Sequence, residues 1–499
     1  MRVSDGGRLT LRIFPAGRNF QEARKNTWTS FDLYELEGRP VQEHMPPMWS
    51  LGLQVGAQVY QGEQEFEAMY LDLLQKIPFD TILHGADYMD GFKMFKENTC
   101  KYANMKIWVD LLHASNKKYV VAMHPSWDVI SADKADPGSL SDHHFIRQGS
   151  SSSQTDANYF GYQWATKVSG CDQQIQDPAF FDTGLAEPCY YFDFFNEGGQ
   201  NEYKLEFQKF FNETNVKFDG VFLELNEPAD FNPDQDRCGS NLNSPSYLPI
   251  GIIDLNEGNV CGNALHEDGK GNDVQHFLKH NHYGRAQSRA THEAIPKGHR
   301  FPIYSHSVSE GIGAFAGSWQ TETKFNNNWE DLVNALVNVL DLSLYHIGQS
   351  TSPACGTIGD VHQNLEICSR WTQLSAFFPT FRFWNSNYNQ TIERYPTMFG
   401  DEFIQNVLPA IRMRYSLLPY LYSNFYYHYT NGDAVVSSVS ERFNDLKFAQ
   451  AGSEGYEQFM FGPSLMIVPV LNGPEDTGDK FLQERVKFTK KLKKKLKFF

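Results

Sequence analysis

Phe218-Asp-Gly-Val-Phe-Leu-Glu-Leu-Asn-Glu-Pro-Ala-Asp-Phe231 is the stretch on which the reading of this chain turns. An apolar strand, Gly220–Glu224, ends in a carboxylate and then breaks into Asn226, Glu227 and Pro228. A carboxylate at the C-terminal end of a barrel strand is held rigidly and projects into the mouth, a placement that suits a nucleophile or general base. A strand-end acid can equally cap the next helix. On residue types alone both readings stand.

Outward from this stretch, short apolar runs alternate with helical periodicity, the rhythm of βα units. The pattern predicts strands at Trp49–Val55, Thr81–His84, Lys118–His124, Phe301–Ser305 and Leu344–Gly348, with two short ones at Ala314–Trp319 and Thr380–Phe383. Helices are expected at Glu63–Lys76, Glu202–Asn212, Trp329–Leu340, Glu366–Phe377 and Phe403–Tyr427. Such an alternation makes either a parallel barrel or a doubly wound sheet. No Gly-x-Gly-x-x-Gly follows the first strand, which removes support for dinucleotide binding. Two polar, Gly-rich stretches, 131–199 and 232–282, break the rhythm and read as long insertions at the ends of the third and fourth strands. No period of ~20–50 residues repeats, so a solenoid is not expected.

With 499 residues, 41% of them hydrophobic, the chain can bury one large core plus appendages. The 14% aromatic content suits stacking on sugar rings, and equally suits a Phe-rich core. A formal charge of -16 argues against nucleic acid as a partner, because phosphate binding needs a basic footprint. The basic run Lys487–Phe499 is the local exception; it reads as a contact for an anionic surface or as a solvated tail. The first residues lack a signal-peptide core, and no window approaches the ~18 apolar residues of a membrane span. Seven cysteines do not make a disulfide scaffold in a chain of this length. Asn212 and Asn389 head the two sequons and are candidate glycosylation sites.

The segment around Glu224 resembles the signature of glycoside hydrolase family 31, the α-glucosidase family, roughly W-I-D-M-N-E-P-S-x-F. Further stretches resemble the family in order along the chain: Pro46–Gln54, Asp87–Asp90, Ile367–Pro379, Arg412–Tyr422 and Phe459–Val470. The resemblance implies an α/β fold, a (β/α)8 TIM barrel at 46–430 with long insertions after strands 3 and 4. Remnants of flanking β-domains are expected at 1–45 and 431–486, with a basic tail at 487–499. It also implies retaining cleavage of α-glucosides, in which one carboxylate attacks the anomeric carbon and a second, about 5–5.5 Å away, protonates the leaving oxygen. By position these are Glu224 and, in the segment Ser305–Glu322, Glu322. Asp87, Phe222, His306, Trp319, Arg382 and Trp384 fall on positions expected to contact substrate, and Cys355 and Cys368 on a family disulfide. No metal or organic cofactor is implied. The family's origins imply a secretory address, and an oligosaccharide or α-glucoside as partner.

The pattern also departs from the family. Both catalytic aspartates are glutamates, one methylene longer, and displacements of about 1 Å can cost ~100-fold in rate. Gly85, His124, His306, Ser318, Pro353 and Trp384 replace residues that grip glucose hydroxyls in the family. Each lost charged hydrogen bond removes about 1.5–3 kcal/mol. Two hypotheses follow: a retaining α-glucosidase, or a catalytically inactive pseudoenzyme that binds carbohydrate or a partner.

Overall fold

The computed structural model describes residues 2–4, 8–10, 45–129, 131, 144–149, 158–164, 171, 188–232, 238, 258–296, 298–320, 325–386, 395–443 and 458–473. Seven parallel strands form one sheet: β1 (Leu53–Ala57), β2 (Thr81–His84), β3 (Lys118–Met123), β4 (Gly220–Leu223), β5 (Ile303–Ser305), β6 (Gly317–Ser318) and β7 (Phe381–Asn385). Their order is β6-β5-β4-β3-β2-β1-β7, so the last strand pairs with the first. An extended stretch fills the remaining gap. Ser318 N–H donates to Gln349 O (3.1 Å), Thr380 N–H to Ser350 O (3.1 Å) and Ala354 N–H to Arg382 O (2.8 Å). The result is a closed (β/α)8 barrel.

That closing stretch corrects the strand expected at Leu344–Gly348. The apolar residues there continue the helical period of the preceding segment, and the helix runs to Leu344. A positive φ of 61° at His346 then turns the chain, and the ladder contacts begin only at Gln349.

Helices α1 (Glu63–Lys76), α2 (Met105–Ala114), α3 (Glu197–Glu213), α4 (His276–Ala294), α5 (Trp329–Leu344), α6 (Leu365–Ser375) and α7 (Asp401–Asn431) follow the strands. In α1, Phe66, Met69, Tyr70 and Leu73 recur at helical spacing and are buried. Full burial of each such side chain stabilises by roughly 1.5–3 kcal/mol. Asn196, Asn328 and Asn364 start α3, α5 and α6 by accepting backbone N–H groups of the first turn. From α7 the buried Arg414 reaches under the barrel, donating to the carbonyls of Leu51, Ala376, Phe378 and Pro379. One guanidinium thereby joins the approach to β1 with the approach to β7.

Segments after β3 and β4 add structure at the C-terminal end of the barrel. Ser126–Asp128, Cys189–Tyr191 and Phe160–Gly161 form a small antiparallel sheet, and Leu265–Glu267 pairs with Asp273–Gln275 as a hairpin. Disulfides join Cys100 to Cys171, Cys238 to Cys261 and Cys355 to Cys368, while Cys189 is a buried free thiol. Near the N-terminus Arg2–Ser4 pairs with Arg8–Thr10. Among the described residues no helix is long and apolar enough to cross a membrane. Lys487–Phe499 lies outside the described residues.

Candidate active site

Glu224 follows directly on β4 and its N–H still donates to Met123 O (2.8 Å), so the ladder fixes its backbone. Leu225, at φ 49°, then turns the chain away. The carboxylate is 3% exposed and accepts from Gln58 Nε2 at 2.9 Å. Burial pushes this carboxyl up to about 7; Gln58, the charge of His306 and the Trp319 indole draw it back, while Glu227 adds to the rise.

Gln58 can approach because of Gly85. A Cβ at Gly85 would lie 2.2 Å from Gln58 O, so the backbone after β1 occupies the space a side chain would take. Gly85 is a position where the family pattern has aspartate. Here that carboxylate has given way to the segment that delivers an amide to Glu224.

Beside Glu224 lies a stack of rings. Phe222 and Trp319 face each other at 3.9 Å and 13°, and Trp384 meets both edge-on at 5.3 and 4.9 Å. Arg382 places its guanidinium 3.9 Å from the Trp319 centroid and 4.7 Å from that of Tyr304. Its Nε donates to Gln54 Oε1 at 3.1 Å. Phe222, Trp319, Trp384 and Arg382 are all fully buried. Burial lowers the Arg382 guanidinium to about 9, with Tyr304 acting in the opposite direction.

Asn226 ties the end of β4 to that of β5: its Nδ2 donates to Ser305 Oγ (2.9 Å) and its Oδ1 accepts from Ser307 N–H (2.8 Å). Glu227 is 3.3 Å from His306 Nδ1. Burial would raise the Glu227 carboxyl, but His306, a backbone N–H and His280 together hold the group below its ordinary value.

The other expected positions behave differently. Asp87 is completely buried, and its carboxylate accepts from His84 Nε2 (3.0 Å), Lys101 Nζ (2.9 Å), the Tyr60 N–H (3.2 Å) and the Tyr102 hydroxyl. Burial opposes that charge, yet His84, Lys101 and Tyr102 together keep its carboxyl below the usual range. His124 is bonded to Phe92 O (2.9 Å) and Ser126 Oγ (3.1 Å), and burial lowers it to about 3, which keeps it neutral. Asn212 is exposed on the last turn of α3. Glu322 and Asn389 lie outside the described residues. Gln58 was not anticipated; its only sequence signal is a polar residue just past the end of an apolar strand. Among the described residues no group of three or more His, Cys, Asp or Glu is arranged to hold a metal ion.

The parallel barrel thus carries a buried carboxylate at the end of its fourth strand, framed by indole rings and an arginine. The profile of the Glycosyl hydrolases family 31 TIM-barrel domain matches residues 43–424, and the chain belongs to that family. It is 30% identical to human "Probable maltase-glucoamylase 2" over 446 residues, 88% of this chain and 16% of that protein. It is 28% identical to mouse "Lysosomal alpha-glucosidase" over 434 residues, 86% of this chain and 41% of that one. The chain therefore spans less than half the length of these relatives. Among solved structures, glucosidase II alpha subunit, in a Glc1Man2-bound form, superposes with a TM-score of 0.71 at 19% identity, covering 92% of this chain and 43% of that one. A Flavobacterium johnsoniae family 31 dextranase gives 0.70 at 20% identity, with coverages of 92% and 49%. These likenesses carry the fold.

Proposed function

We propose that the barrel mouth handles α-linked glucosides, with Glu224 as the carboxylate that attacks the anomeric carbon and Glu322 as the acid/base. The observation that carries this reading is Glu224 itself, fixed by the β4 ladder in the family signature and oriented by Gln58. Phe222, Trp319 and Trp384 would supply ring faces, and Arg382 and His306 polar contacts, to the sugar. A retaining reaction forms a glycosyl ester on the nucleophile, then hydrolyses it. A mechanism-based α-glucosidase label that arrests this ester, followed by peptide mass spectrometry, tests the proposal. Modification on Glu224 is the expected result; modification elsewhere, or none, overturns the assignment.

A second reading has its own observation. The ring stack is fully buried and Glu224 is 3% exposed, as in a mouth that has closed over its chemistry. A family 31 barrel that binds carbohydrate or a partner without hydrolysis would remain unlabelled and still retain maltose. The disulfides, and relatives named as lysosomal and intestinal, support a secretory address. Contact of Lys487–Phe499 with an anionic surface is the remaining proposal, tested by vesicle binding before and after its deletion.

A further inference from the structure

Three histidines form a hydrogen-bonded row behind the mouth. His266, on the hairpin after β4, places Nδ1 2.8 Å from Asp193 Oδ1. Its Nε2 is 2.9 Å from His276 Nδ1, and His276 Nε2 is 3.0 Å from His280 Nδ1. His276 and His280 are four residues apart on the first turns of α4 and so share a face. His266 and His276 are buried, and His280 is half-buried.

The partners decide the tautomers. Asp193 also accepts the N–H groups of Phe195 (3.0 Å) and Glu267 (2.9 Å), the environment of an ionised acceptor. His266 therefore donates through Nδ1, which leaves Nε2 as a lone pair. A neutral imidazole has one N–H, so His276 must donate through Nδ1 to His266, and His280 through Nδ1 to His276. His280 Nε2 is left bare at the open end. A solvent proton added there can travel: His280 passes its Nδ1 proton to His276 Nε2, and His276 passes its own to His266 Nε2. The charge then rests on His266 against Asp193, with no heavy atom displaced. A second proton would set N–H against N–H at one link.

We infer that His266, His276 and His280 hold and relay a single proton between Asp193, where the segments after β3 and β4 meet, and the half-buried Nε2 of His280 on α4. Groups facing the row from each packed element fit this. Phe195, from the segment before α3, lies edge-on to His266 and beneath Lys279 of α4. Tyr283 flanks His266 and His276, but its hydroxyl is committed to Phe192 O (2.7 Å). Glu227, from the β4 end, is the anion that favours a charged His280, whereas burial disfavours charging of His276 and His280. His306, from the β5 end, pairs with the same Glu227. The row itself does not depend on hydrolysis.

The full chain labelled with 15N-histidine, followed by two-bond proton–nitrogen correlation spectra from about pH 8 to 5, tests the row. The expected result is three Nδ1–H tautomers at high pH, then uptake of one proton shared by the three rings with a common midpoint. In His280→Gln, a change at the half-buried end that leaves the inner links in place, His266 and His276 should stay neutral throughout. In His276→Phe, His280 should titrate alone. His280 titrating in the unaltered chain while His266 nitrogens stay still, uptake of three separate protons, or an Nε2–H tautomer at His276 would each overturn the inference.

Discussion

Asp87, just past β2, and Glu224, just past β4, are both carboxylates removed from water at the same end of the barrel, yet they carry opposite shifts. Asp87 collects four donors, from Tyr60, His84, Lys101 and Tyr102, and is held below its ordinary value. Glu224 has one close amide, from Gln58, and burial carries it up to about 7. The penalty of desolvation is common to both, so the donors and the positive charge supplied, His84 and Lys101 for Asp87, decide the outcome. A saturated carboxylate anchors the fold. An undersupplied one is poised to change protonation in the physiological range, which is what catalytic groups require.

Asp87→Ala is the harshest way to break the contrast. It strands Lys101, the Tyr102 hydroxyl and the Tyr60 N–H, and removing one partner from a buried charged network costs about 3–5 kcal/mol. Chemical denaturation at pH 7 should show that loss. Because the folded value of Asp87 is depressed, its contribution is present above the unfolded value and vanishes as pH falls through the folded one. The variant should therefore also lose part of the parent's acid lability. A cost below ~1 kcal/mol would mean that the network is no anchor.

Glu224→Gln should do the reverse. A carboxyl raised from 4.5 to about 7 stabilises the fold only while protonated, and that contribution is lost as pH rises through this window. Above it, the parent carries a penalty on the order of 3 kcal/mol that the amide lacks. Denaturation at pH 8 should find the variant more stable, and at pH 4 about equal. A variant that is less stable at both values would show that Glu224 is satisfied as a carboxylate, and the contrast with Asp87 would collapse.

The contrast was only half legible in the sequence. Glu224 stood out because an apolar strand runs straight into it and the residues around it match a family signature. Asp87 was equally visible in its motif, but Tyr60, His84 and the adjacent Lys101 and Tyr102 come from three separate stretches, and nothing in their spacing says that they converge. Gly85 and Gln58 show the same limit. The glycine reads as a missing aspartate, and only the fold reveals a neighbouring backbone in the vacated space. The barrel itself was readable from periodic helices and β-rich runs. Its closing stretch was misplaced because the apolar residues to Leu344 fit a helix as well as a strand.

Gln58→Leu is the gentlest test, and the most local. The side chain is buried and of similar volume, and the backbone N–H of residue 58 keeps its bond to Asn385 O (2.8 Å), so the segment should hold its course. What disappears is one hydrogen bond to an ionised carboxylate, typically 1.5–3 kcal/mol. Glu224 should then titrate above its present value of about 7, and the alkaline-favoured limb of covalent labelling should move up with it. Asp87 reports on whether the effect stays local, because Tyr60 N–H, two residues beyond Gln58, is one of its donors. If the acid limb of stability that depends on Asp87 is unchanged while the Glu224 midpoint rises, donor supply acts carboxylate by carboxylate. If both move, the segment from Gln58 to Tyr60 couples the two, and the anchor and the poised group form a single device.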